Sequence, residues 1–185
     1  MSQDAIAGII GALIGAFAVV VISLFNVYIE GRRNNFKNKL EHYHEIKLSI
    51  KEQLSEFYDP IYTLLSVNRD IFLRTGSTSI LNSDSPLIQQ EKKMIWDKLV
   101  ENVVIPNNKI VCKIIETKLH LLAVEDVLFP YLQFTTHAYA YKIFRDAPYE
   151  NYDKFRFPTG FLEHVESNRE KLRKKLLQLD DFTKT

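Results

Sequence analysis

The sequence predicts an all-α chain, with one N-terminal transmembrane helix followed by a helical bundle. Three observations predict it. The stretch 5–29 carries no charged side chain, apolar residues beyond it recur at helical spacing, and strand-like alternation appears nowhere at useful length.

A helix rises about 1.5 Å per residue, so about 20 apolar residues cross the roughly 30 Å hydrocarbon core of a bilayer. The run 5–29 exceeds that length, and residues 1–30 are expected to form the anchor. A removable signal fits poorly, because "MSQD" supplies no basic residue and "VVVISLF" continues the apolar run beyond the cleavage-like Ala16-Phe17-Ala18. A buried core helix without a polar face is the alternative. Arg32, Arg33, Lys37 and Lys39 lie on the C-terminal flank. Basic flanks stay in the cytoplasm, so the amino terminus is expected outside and the remainder in the cytosol, most simply at a bacterial inner membrane.

Within the run, Ala7, Gly11 and Gly15 form one ridge at helical spacing, and Gly8, Ala12 and Ala16 form its neighbour. Small side chains let membrane helices approach closely, and "GALIG" matches GxxxG, so the anchor is expected to self-associate. Small residues are also common in any membrane helix.

Residues 31–58 read as a juxtamembrane stalk helix and 59–185 as one helical domain. Phe36, Leu40, Tyr43, Ile50, Leu54, Phe57, Ile61, Leu64 and Ile71 mark one face of a long helix, with a kink or restart expected at Asp59-Pro60. The polar stretch 75–85 reads as a loop. Ser85-Pro86 supplies an N-cap and first turn for a helix whose buried stripe would be Ile88, Ile95, Leu99, Val100 and Val103, with Trp96 packed beside it. Pro106 is expected to end that helix. The next would be capped by Asn107 or Asn108, facing Ile110, Ile114, Ile115, Leu121 and Leu122 inward. A helix over "YLQFTTHAYAYKIFRD" and an irregular aromatic passage follow. The last helix, from about residue 159 to 179, carries Phe161, Val165, Leu172, Leu176 and Leu179 on one side.

Net charge is +1, so a surface that seeks nucleic acid is not indicated. The basic group Arg169, Lys171, Arg173, Lys174 and Lys175 reads as a solvated helix end that complements the macrodipole, with a face for anionic lipids or RNA phosphates as the alternative. The sole cysteine, Cys112, permits no intrachain disulfide and lies in a packing context. No P-loop, G-x-S-x-G or H-E-x-x-H sequence is present, and nothing calls for a cofactor or a metal.

The candidate chemistry rests on histidines. His42 and His44, two apart on a helix, point about 200° away from each other and make a weak metal pair. His120, with Glu116 and Glu125 nearby, and His137, near Tyr141, are the weak catalytic candidates. A site built across facing helices is one reading, although paired Glu-x-x-His motifs are absent. Buried histidines satisfied by Tyr or Glu are the other. His164 beside Glu163 is less specific.

As an architecture over its whole length, the chain resembles the small membrane accessory proteins of type VI-B CRISPR systems, and more loosely other single-span anti-phage membrane effectors. That resemblance implies a divergent HEPN-like helical fold, oligomerisation in the inner membrane and impairment of the membrane during infection. Active HEPN ribonucleases carry an Arg a few residues before a His, whereas here Lys37 precedes His42 and Lys39 precedes His44. A lysine lacks the planar guanidinium fork, which leaves RNA cleavage without its usual motif. Besides the bilayer and further copies of itself, a cytosolic protein partner is an alternative expectation. It would be held by the loop 75–85 and the aromatics Tyr149, Tyr152, Phe155 and Phe157.

Overall fold

The structure is a computed structural model. It describes residues 3–76, 85–145, 147, 150 and 152–182, apart from the side chains of 3–18, 20, 152, 181 and 182. The α-helices are α1 (Gln3–Gln53), α2 (Asp59–Thr75), α3 (Pro86–Leu99), α4 (Ile105–Lys118), α5 (Phe129–Phe144) and α6 (Phe161–Phe182). Two π-helical turns, Leu54–Tyr58 and Val100–Val104, and two 3₁₀ turns, Leu119–Leu121 and Tyr152–Phe155, join them. No strand occurs among the described residues, and the chain is all-α.

The chain divides into two compact units, Met1–Ile46 and Lys47–Thr185. In the first, Ile22, Leu24, Phe25, Val27 and Tyr28 are exposed, as are Arg32, Arg33, His42 and His44. The small-residue positions Ala7, Gly8, Gly11, Ala12, Gly15 and Ala16 lie outside the described side chains. Among the described residues no helix is long and apolar enough to cross a membrane. Of the run 5–29, the side chains of 5–18 and 20 lie outside the described ones.

The second unit takes in the end of α1, so the segment read as a stalk to residue 58 already contributes core: Ile50, Leu54, Phe57 and Tyr58 are buried. Phe57 meets Tyr58 at 5.1 Å and Tyr131 at 5.5 Å, Tyr131 meets Phe161 at 5.3 Å, and Phe134 stacks on Phe161 at 5.0 Å. Fully burying one such side chain stabilises the fold by about 1.5–3 kcal/mol. α2 packs on α4 and α6, and α4 on α5, around this cluster. On α6, Phe161, Val165 and Leu172 turn inward, as their spacing predicts.

Both π-helical turns stand one residue before a proline, at Asp59-Pro60 and at Ile105-Pro106. A proline in a helix interior lacks a donor and its ring strikes the carbonyl four residues back. Widening the preceding turn relieves the clash: Asp59 N–H donates to the Leu54 carbonyl and Ile105 N–H to that of Val100, each five residues back. The backbone therefore stays helical through both sites. Pro106 does not end the helix as the sequence reading expects, and Asn107 and Asn108 are not caps.

The added residue rotates the following face by about 100°. Asn108 consequently turns inward, 7% exposed, and Ile110 outward, 48% exposed, the reverse of the expectation. α3 also departs from its predicted stripe, since Ile88 and Ile95 are exposed and only Val100, in the π-helical turn, is buried. Its N-cap is as expected: Ser85 Oγ accepts from Ile88 N–H at 3.4 Å. Of the expected loop, residues 77–84 lie outside the described residues.

Candidate functional site

Two polar constellations stand out in the second unit. The first centres on Asp126, whose side chain is fully buried in the connection between the 3₁₀ turn at 119–121 and α5. Its Oδ2 accepts from the Tyr58 hydroxyl at 2.6 Å and the Tyr131 hydroxyl at 2.7 Å. Its Oδ1 accepts from Val127 N–H at 2.7 Å and meets His164 Nε2 at 2.6 Å. A carboxylate offers about four acceptor sites, and all are taken. Tyr58 also accepts from Ala123 N–H at 3.1 Å. Burial raises the pKa of both phenols, and the adjoining Asp126 adds to the rise. The π-helical turn that carries Tyr58, the connection, α5 and α6 are thereby tied at one carboxylate.

The second constellation is a pocket of about 460 Å³, within the range of small-molecule sites. α2 supplies Leu65, Asn68, Arg69 and Phe72, and Trp96 comes from α3. Asn108, His137 and Tyr141 follow from α4 and α5, Arg156 and Phe157 from the segment entering α6, and Glu163 from its first turn. Gly160, also in the wall, has φ +78°, a left-handed backbone that glycine takes without steric cost. Phe72 and Trp96 meet edge to face at 5.9 Å, while His137 lies 5.7 Å from Tyr141 and 5.5 Å from Phe157. Arg145 donates to the Asp97 carbonyl at 3.0 Å and so fixes the end of α3 that carries Trp96.

The polar wall is ordered by an amide chain. Asn107 Nδ2 donates to Asn68 Oδ1 at 2.8 Å, and Asn68 Nδ2 to Asn108 Oδ1 at 2.9 Å. His137 is 8% exposed, with Nδ1 2.6 Å from the Phe155 carbonyl. Burial lowers its pKa, so the neutral ring is favoured. Because a carbonyl only accepts, Nδ1 carries the proton and Nε2 the lone pair.

The histidines named from sequence thus separate. His137 lines the pocket, whereas His120 is exposed on the 3₁₀ turn. Glu56 has its pKa lowered chiefly by its 2.7 Å bond to Lys118. Glu116 accepts instead from Tyr139, which raises the phenol's pKa to about 12. His164, the least specific candidate, is the one bound to a carboxylate. No sequence spacing joins Asp126 to His164, and the pocket's Asn108 was misread because its phase follows the π-helical turn.

Other expectations resolve locally. Cys112 is buried and its pKa is raised to about 11, chiefly by desolvation, which keeps it a thiol. In the aromatic passage, Phe155 packs on Phe144 at 5.5 Å and Phe157 on Phe134 at 6.0 Å. Tyr149 and the Tyr152 side chain lie outside the description. On α6, Arg169 is 2.5 Å from Asp59 and lies over the Tyr62 ring at 4.6 Å, and Arg173 reaches the same Asp59 at 3.4 Å. Part of the basic face thus ties α6 to α2. Among the described residues, no group of three His, Cys, Asp or Glu side chains is placed to hold a metal ion.

No protein-family model matches the chain, and neither a curated protein nor a solved structure does.

Proposed function

We propose that the chain is a single-pass membrane protein whose anchors associate and whose helical unit binds a small ligand that governs the assembly. The pocket is the observation that carries the binding half: about 460 Å³, walled by aromatic rings and furnished with two arginines and a buried Asn and His. The uncharged run 5–29, with its two small-residue ridges, supports the anchoring half. With Arg32 and Arg33 on the cytoplasmic flank, the helical unit would meet its ligand in the cytosol. The output would be perturbation of the inner membrane, as in the anti-phage effectors that the chain resembles in architecture. A nearly wholly apolar span gives a poorly wetted channel until subunits rearrange.

The test uses the full-length chain, followed by cell fractionation and by the mass of the detergent-solubilised particle. The reading expects a membrane-extracted oligomer that Gly11→Leu with Gly15→Leu reduces toward the monomer. It expects the same double substitution to suppress vesicle leakage. A freely soluble monomer would refute it.

A second reading, a membrane-tethered adaptor, is favoured by one observation. Leu128, at the N-cap of α5, and Leu132, Tyr139 and Ile143 along it expose apolar side chains. Single exposed apolar residues need no explanation, but a row at helical spacing, broken only at Thr135 and Thr136, suits a partner helix. Loss of a stable protein partner on Ile143→Glu, with membrane integrity untouched throughout, would select that reading.

A further inference from the structure

We infer that the pocket takes a mononucleotide-sized ligand, a flat heteroaromatic ring joined to a phosphate. This deepens the reading of the pocket as a binding site and rests on it.

The ring is called for by the walls and by two polar atoms on them that no described residue meets. Phe72 and Trp96 offer a rigid aromatic surface on which a planar ring can stack. Asn108 is 7% exposed and its Oδ1 is already occupied by Asn68, yet its Nδ2 has no hydrogen-bond partner among the described residues. His137 is 8% exposed, its Nδ1–H is held by the Phe155 carbonyl, and its Nε2 lone pair is likewise without a partner among them. Both atoms keep solvent access, so a donor and an acceptor stand available in the wall of one cavity. A heteroaromatic ring that carries an acceptor and an N–H donor on its edge satisfies both. An acyl chain or a plain hydrocarbon ring would satisfy neither.

The phosphate is called for by the two arginines. Arg69 reaches Glu163 only at 3.5 Å. Arg156 uses Nε and one terminal nitrogen on a single oxygen of Asp153, in a pair whose side chains are both more than two-thirds exposed. Ion pairs in water contribute little, so either guanidinium can exchange its carboxylate for a ligand anion. Its planar fork suits phosphate oxygens. The charged side chains in the wall are Arg69, Arg156 and Glu163, which sum to one net positive charge.

The test is isothermal titration calorimetry on the full-length protein in detergent. The titrants are the 5′-monophosphates of adenosine, guanosine, cytidine and uridine, the four matching nucleosides, ribose 5-phosphate and the neutral ring 1-naphthol. At least one nucleotide is expected to bind one to one. Its nucleoside and ribose 5-phosphate should each bind about tenfold or more weakly, the loss of one good contact set. Arg156→Ala, at an exposed pair that leaves folding intact, should bring the nucleotide down to the nucleoside's affinity and leave the nucleoside unchanged. Equal binding of nucleotide and nucleoside, or of nucleotide and ribose 5-phosphate, would overturn the inference. Saturable binding of 1-naphthol with no nucleotide bound would overturn it and leave the pocket as a binding site. Silence from every titrant would remove both.

Discussion

The Asp126 cluster and the aromatic pocket lie in the same helical unit and are built from similar side chains, yet they differ in one respect. Around Asp126 every carboxylate lone pair has a donor, and the phenols, the backbone and His164 supply them. In the pocket Asn108 and His137 are 7% and 8% exposed, and each keeps one solvent-accessible polar atom that no described residue meets. A saturated network rigidifies, whereas an unsaturated one awaits a partner. The difference teaches which site to perturb for stability and which for binding.

The largest effect should come from breaking the closed cluster. Asp126→Ala would strand two phenol hydroxyls in the core, and chemical denaturation should register a loss of about 3–5 kcal/mol. Tyr131→Phe keeps the ring packing and removes one of four donors, so a loss of about 0.5–1.5 kcal/mol is expected in the same assay. Equal losses from the two variants would mean that the carboxylate is not the centre of the cluster.

Acidification should sharpen the contrast. Burial depresses the pKa of His137 in the fold below its unfolded value of 6.5, so the unfolded chain binds more protons across that interval. The stability contributed by neutral His137 is complete above pH 6.5 and is lost as the pH falls toward the folded pKa. Denaturation midpoints measured from neutral to mildly acidic pH should therefore fall in the wild type, and fall less in His137→Phe. The smallest effect is expected at the pocket's mouth. Arg156→Ala should leave stability within about 0.5 kcal/mol, because its partner Asp153 is exposed.

Much of this fold was legible in the sequence, and for local reasons. Ser85 before Pro86 announces an N-cap through the chemistry of two adjacent residues, and the apolar stripe of α6 follows from spacing alone. Pro60 and Pro106 announce irregularity equally well, but a proline marks a clash without stating how the chain relieves it. At both positions the helix widened rather than stopped, and the faces beyond were misread. His137 was visible as a candidate because Tyr141 lies one turn away. Asp126 and His164 are 38 residues apart and meet only through the tertiary packing of the 122–128 connection against α6. Asn108 read as a cap because Pro-Asn-Asn ordinarily opens a helix, and only the phase of the π-helical turn turns it into the pocket.

The central claim is that the pocket binds a ligand while the Asp126 cluster only holds the fold. Trp96 is the sole tryptophan and lines the pocket, so its emission reports on occupancy without a label. Full-length protein in lipid nanodiscs, titrated with the nucleoside monophosphates and with 1-naphthol, should show a saturable change in emission in the wild type and in Tyr131→Phe, and none in Phe72→Ala. A flat titration in the wild type, or a response that survives Phe72→Ala and vanishes in Tyr131→Phe, would contradict the account.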